Sequence, residues 1–227
     1  MPTYRLNTTF TGADLTRFLA AGSNVVVAKP NNGGAPNVAW VVYRPLEKNA
    51  MTWEEEYGIY ASNADLISGG ELFQMSKTGF PAVAGKLYSM TDTGAFGPPT
   101  SGGSAGSYTA VNGYANLPKG FLTIGLFQDA VVNGNVATGN AVSAATVQYN
   151  YKAVMTPYTT VYLWMQSQVV SNSVLTVVTS PMTKVTFGGS VTDISLAYDA
   201  TSGTFIPPSD GVLAAGISVD HIVPAVL

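Results

Sequence analysis

The stretch Trp53-Glu54-Glu55-Glu56-Tyr57 places three consecutive carboxylates between two aromatic rings. On a strand, side chains alternate, so Glu54 and Glu56 share one face while Trp53, Glu55 and Tyr57 share the other. Two like charges on one face repel, and a cation or hydrogen-bond donors would relieve that repulsion. Three readings follow. Glu54 and Glu56 are candidate ligands for Ca²⁺, although calcium takes about six to eight oxygens and the run supplies at most three carboxylates. The acids also suit the hydroxyls of a sugar, with Trp53 as a stacking surface. The plainest reading is a charged strand edge that discourages edge-to-edge pairing. A second stretch, Met155-Thr156-Pro157-Tyr158-Thr159-Thr160, aligns with Met51-Thr52 and lacks the acids, so the fold does not require them.

Other motifs carry less. Asp92-Thr93-Gly94-Ala95 matches the aspartic-protease signature, in which two carboxylates share one proton. The corresponding tract Asp199-Ala200-Thr201-Ser202-Gly203 breaks the spacing, and Asp, Thr and Gly favour turns for local reasons. Gly102-Gly103-Ser104-Ala105-Gly106 fits G-x-S-x-G, but a nucleophile elbow needs a strand before it and a helix after it. His221 is the sole histidine and Asp220 beside it would point to the opposite face of a strand, so no hydrolytic triad is expected. Zinc clusters need several His or Cys, and the chain has no cysteine. Neither phosphate-binding glycine pattern occurs. The chain is expected not to be an enzyme.

Aromatic side chains are plentiful, with 12 Tyr, 9 Phe and 3 Trp. Trp40, Tyr43, Trp53, Tyr57 and Tyr60 gather in the first half; Tyr149, Tyr151, Tyr158, Tyr162 and Trp164 gather in the second. Most such rings fill cores. Tyrosines alternating with polar residues also suit a pocket for a planar or hydroxylated ligand. Trp40, Tyr43, Trp53, Tyr57, Tyr60, Tyr158, Tyr162 and Trp164 are therefore the candidate ligand-binding residues.

The elements that would position these groups read as β. Runs rich in Val, Ile, Thr, Tyr and Phe recur, for example at 24–28, 38–43, 57–61, 122–127, 146–152, 160–165, 174–179 and 194–198, separated by Gly, Asn, Pro and Ser. Asn32-Gly33 and Asn133-Gly134 are hairpin dipeptides. One helix is predicted over 12–20. Three collinear near-repeats, 13–20 with 115–123, 48–52 with 152–156 and 91–99 with 200–208, suggest a tandem duplication. The Gly, Pro and Ser tract around 99–107 would be the linker. The expected architecture is all-β, two related antiparallel β-sandwich units over 1–98 and 108–227 with pseudo-twofold symmetry.

Only 10% of the 227 residues are charged, against about 25% in an average protein. With 10 Lys and Arg against 13 Asp and Glu, no basic surface for nucleic acid is expected. Apolar runs fall far short of a membrane span. The amino terminus lacks a basic region followed by an apolar one, so a cytoplasmic protein is expected.

The run "MTWEEEYGIYAS" resembles segments of small β-rich fungal proteins. The profile of 23.6 kDa, no cysteine and many aromatics is similar to that of mushroom fruiting-body lectins and of the pink pigment-binding chromoprotein type. The resemblance covers no defined span and transfers no site residues. It implies a non-enzymatic binding protein for a neutral, planar aromatic molecule, such as a non-covalently held organic pigment. A carbohydrate-binding lectin and a storage or membrane-active β protein are the alternatives, and a second copy of the chain, as a homodimer, is a further expected partner.

Overall fold

The longest strand organises the molecule. In the computed structural model, which describes residues 2–116, 119–208, 218–223 and 225–226, β9 (Phe121–Val132) is bonded along both edges. One edge carries β4 (Lys48–Glu54) and β5 (Gly58–Ser62), and the other carries β10 (Asn135–Ala141) and β11 (Ala145–Gln148). The sheet extends from β4 through β1 (Thr3–Thr9) and β16 (Asp193–Asp199) to β17 (Thr204–Ile206), and from β5 to β6 (Ser76–Lys77). Asn133 and Gly134, with φ of 51° and 81°, make the two-residue turn between β9 and β10. Both residues take the positive φ that such a turn requires.

A five-stranded sheet packs beneath, in the order β18 (Val219–Ile222), β15 (Met182–Thr186), β13 (Thr160–Ser167), β2 (Ser23–Ala28), β3 (Val41–Tyr43). Its centre is buried on both faces, which explains the unbroken Val25-Val26-Val27 run. Val25, Val27, Val161, Leu163 and Val185 enter the main core under the nine-stranded sheet. Val26, Ala28, Tyr162, Trp164 and Met182 form a second cluster on the far side. Two smaller sheets complete the architecture: β12 (Lys152–Met155), β8 (Tyr108–Val111) and β7 (Leu87–Ser89), and the pair β14 (Val177–Val178) and β19 (Ala225–Val226).

The helix α1 (Gly12–Ala20) has the predicted bounds. The Thr11 hydroxyl accepts the Asp14 N–H at 3.2 Å and the Asp14 carboxylate accepts the Thr11 N–H at 3.3 Å, a reciprocal cap. Phe18 then packs edge-on against Phe10 and Tyr198. No helix among the described residues is long and apolar enough to cross a membrane.

The molecule is mostly β, as expected, but its strands do not sort into units at 99–107. β4 and β5, before that tract, both pair with β9 after it, and β2 pairs with β13. The near-repeats also take different structures: 13–20 lies in α1, whereas 121–123 opens β9, with Leu117 and Pro118 outside the described residues. Lys48–Thr52 lies in the large sheet and Lys152–Met155 in a small one. Nor is all pairing antiparallel, since β1 with β16 and β7 with β8 run parallel. The 99–107 tract is anchored: Leu87 and Thr100 exchange backbone hydrogen bonds of 3.0 and 2.9 Å.

Candidate functional site

The glutamate run begins at the end of β4 and leaves it at once, with Glu55 and Glu56 in the bend before β5. Alternation carries through the bend. Trp53, Glu55 and Tyr57 turn inward, and there they meet Lys29, one residue beyond β2 and in phase with the core residues Val25 and Val27.

Lys29 is the buried cation among the described residues. Its side chain is 3% exposed and its Nζ donates to Glu55 Oε1 at 2.8 Å and to the Tyr57 hydroxyl at 2.7 Å. The Tyr57 hydroxyl donates to Glu55 Oε2 at 2.5 Å, and Trp53 Nε1 donates to Glu55 Oε1 at 2.8 Å. The same ammonium lies 5.0 Å from the ring centroids of Trp40 and Tyr57 and 5.5 Å from that of Trp53. Trp40 and Trp53 supply the cation with aromatic surface, whereas Tyr57 meets it at the hydroxyl edge. Burial pushes Lys29 down to about 8 against the opposing pull of Glu55. Burial likewise raises the Tyr57 hydroxyl well above its ordinary value, and the Glu55 charge raises it further. Nearby, Gln128 fastens the cage from β9: its backbone oxygen accepts Trp40 Nε1 at 3.2 Å and its Nε2 donates to the Glu54 carbonyl. Its Oε1 is buried without a partner.

Glu54 and Glu56 turn the other way. With Thr52, Phe80, Asp129 and Val136 they line an open groove of about 280 Å³ on the outer face of the large sheet. Phe80 is 41% and Val136 68% exposed. The Phe80 ring stacks on Phe127 at 5.5 Å. Phe127 itself closes over Gly58, where a Cβ would fall 2.1 Å from its ring, so only glycine fits there. Asp129 Oδ1 accepts the Gly139 N–H at 2.6 Å. Among the described residues, no three His, Cys, Asp or Glu side chains form a group that could hold a metal ion.

The structure gathers three of the expected ligand-binding aromatics, Trp40, Trp53 and Tyr57, but around Lys29 and in the core. Trp53 alone among them also lines the outer groove. Tyr60 is buried elsewhere and donates to the Ser143 carbonyl at 2.9 Å. Tyr43 is half-buried beside Thr8, with a hydroxyl contact of 3.2 Å. Tyr162 and Trp164 belong to the second cluster behind β2. Tyr158 is 39% exposed and lies over Gly33. These eight residues therefore do not form one pocket: the buried ones are divided among three core clusters and Tyr158 lies at the surface. Asp92 occupies a turn, and Asp199 ends β16 and caps the turn that follows by accepting the Thr201 and Ser202 N–H groups at 3.1 and 3.0 Å. Ser104 precedes β8 rather than a helix, and His221 is exposed on β18.

Lys29 is the buried residue that composition and motifs do not single out. Its signal is periodic: a lysine at the inward phase of a valine strand, followed by proline, is cut off from water and so needs a partner inside. Set against protein-family models, curated proteins and solved structures, the chain matches none.

Proposed function

We propose that this chain is a non-enzymatic binding protein for a neutral, planar aromatic small molecule, held without a covalent bond in the outer groove. The observation that supports this reading is the groove's composition. Trp53, Phe80, Ala130, Val131 and Val136 supply apolar surface, and Glu54, Glu56 and Asp129 supply acceptors at its rim. Ligand sites combine an apolar lining with a few polar groups that orient the ligand, and their volumes begin at about 300 Å³. The groove is near that lower bound and open along one side, which suits a flat ligand lying along it. Hydroxyl or N–H groups on the ligand would donate to the carboxylates. A cytoplasmic setting accompanies this reading.

The carboxylate rim also favours a second reading, a lectin, in which Phe80 stacks on a sugar face and the acids accept its hydroxyls. The test is an absorbance scan of the protein from its natural source, with mass spectrometry of a solvent extract, beside a titration with the neutral planar dye Nile red. A coloured extractable compound, or dye emission that rises on binding and is lost in Val136→Lys, supports the first reading. No dye binding together with retention on a sugar matrix overturns it in favour of the second.

A further inference from the structure

We propose that Lys29 and Glu55 become joined by an intramolecular amide bond between Nζ and Cδ, formed by the folded protein itself. Nζ lies 2.8 Å from Oε1, one bond away from Cδ, so a small shift of the Lys29 side chain across the carboxyl plane brings the nitrogen to Cδ while Trp53 and Tyr57 keep their hydrogen bonds to Glu55. The surrounding groups are those that acyl transfer needs. Trp53 Nε1–H, 2.8 Å from Oε1, is placed to hold the negative charge that develops on that oxygen. Oxyanion donors act at about 2.7–3.1 Å. The Tyr57 hydroxyl accepts from Nζ at 2.7 Å and donates to Oε2 at 2.5 Å, which makes it a relay from the nucleophile to the leaving oxygen.

The step balances without a co-reactant. A proton passes from the ammonium to the carboxylate, leaving an amine and a carboxylic acid. The Nζ lone pair attacks Cδ and the π electrons move to Oε1. A proton then leaves Nζ through the Tyr57 hydroxyl to Oε2, the Cδ–Oε2 bond breaks, and one water departs. The product is a neutral amide whose oxygen is Oε1. Nothing is oxidised or reduced.

Burial supplies the driving force and the reactive form. Lys29 and Glu55 side chains are 3% and 13% exposed, and desolvated charges are costly even when paired. The amide replaces two such charges by one neutral group. The depression of Lys29 to about 8 leaves a share of free amine near neutrality. The departing water has somewhere to go: Lys29 and Tyr57 both line a void of about 10 Å³ beneath Tyr158. A void of about 10–15 Å³ holds one water.

The test is the intact mass of the folded, purified chain under denaturing conditions, followed by peptide mapping. The expected mass is below that of the sequence by one water, with the peptides carrying Lys29 and Glu55 recovered as a branched pair. The deficit should vanish in Lys29→Met, and in Tyr57→Phe the link should form about 10²-fold more slowly, the lower end of what a positioned proton relay contributes. A wild-type mass equal to that of the sequence overturns the proposal whether or not any variant folds. A water deficit that persists in Lys29→Met or maps to another peptide, as an aspartyl succinimide would, also overturns it.

Discussion

The two sides of the run 53–57 share a backbone but face opposite problems. Inward, Glu55 meets Lys29, Tyr57 and Trp53, and all of its oxygens' contacts come from named donors. Outward, Glu54 and Glu56 face an open groove, and no ion pair engages them among the described residues. Identical side chains one residue apart thus differ in burial and in partners. A buried charge is tolerated only when paired, whereas an exposed one is nearly free to change. Glu55, with its three donors, is therefore committed to the fold, whereas Glu54 is exposed and Glu56 half-buried without an ion pair among the described residues.

The comparison breaks most visibly if the inner cation is removed. Lys29→Met leaves Glu55 buried without its counter-charge and should destabilise the protein by about 3–5 kcal/mol in urea unfolding. A loss under about 1 kcal/mol would mean that solvent reaches Glu55 and that the cage is loose. Tyr60→Phe should cost less, about 1–3 kcal/mol, because it leaves the Ser143 carbonyl buried without its donor. The same change at the exposed Tyr158 should cost nothing measurable.

Alkaline pH sharpens the contrast by another route. Burial raises the hydroxyls of Tyr57 and Tyr60 and pushes Tyr43 up to about 12, from an ordinary value of 10.0. Above pH 10.0 the unfolded chain loses these protons while the folded chain keeps them. Stability is thus full below pH 10.0 and falls as the pH rises toward about 12 for Tyr43 and beyond for the other two. Melting curves flat across that interval would place these hydroxyls in water. The smallest effect on stability belongs to the outer side: Val136→Lys should alter unfolding by less than about 0.5 kcal/mol while abolishing Nile red binding in the groove.

How much of this was legible depended on whether the signal was local. Thr11 and Asp14 cap α1 within three residues, and the Asn133-Gly134 turn needs only its own two φ angles, so both could be read directly. The opposite faces of Glu54 and Glu55 followed from alternation. Distant strand partnership could not be read, because β9 also pairs with β4 and β5, far earlier in the chain, and nothing in Phe121–Val132 names them. The near-repeats give no partners for the same reason: short likenesses in a biased composition carry no pairing information, and 13–20 lies in α1 whereas 121–123 of its counterpart opens β9. Of the candidate aromatics, Trp40, Trp53 and Tyr57 meet at Lys29, while Tyr60 and the pair Tyr162 and Trp164 lie in other core clusters and Tyr158 is exposed. Lys29 joined Glu55 across 26 residues of sequence, a contact only the tertiary fold makes.

The central claim is that the inner glutamate holds the fold and the outer pair does not. It is tested most directly by urea unfolding of Glu55→Gln beside the double variant Glu54→Gln, Glu56→Gln. The account predicts a loss of about 3–5 kcal/mol for the first and less than about 1 kcal/mol for the second. Equal losses, or a larger loss in the double variant, would contradict it.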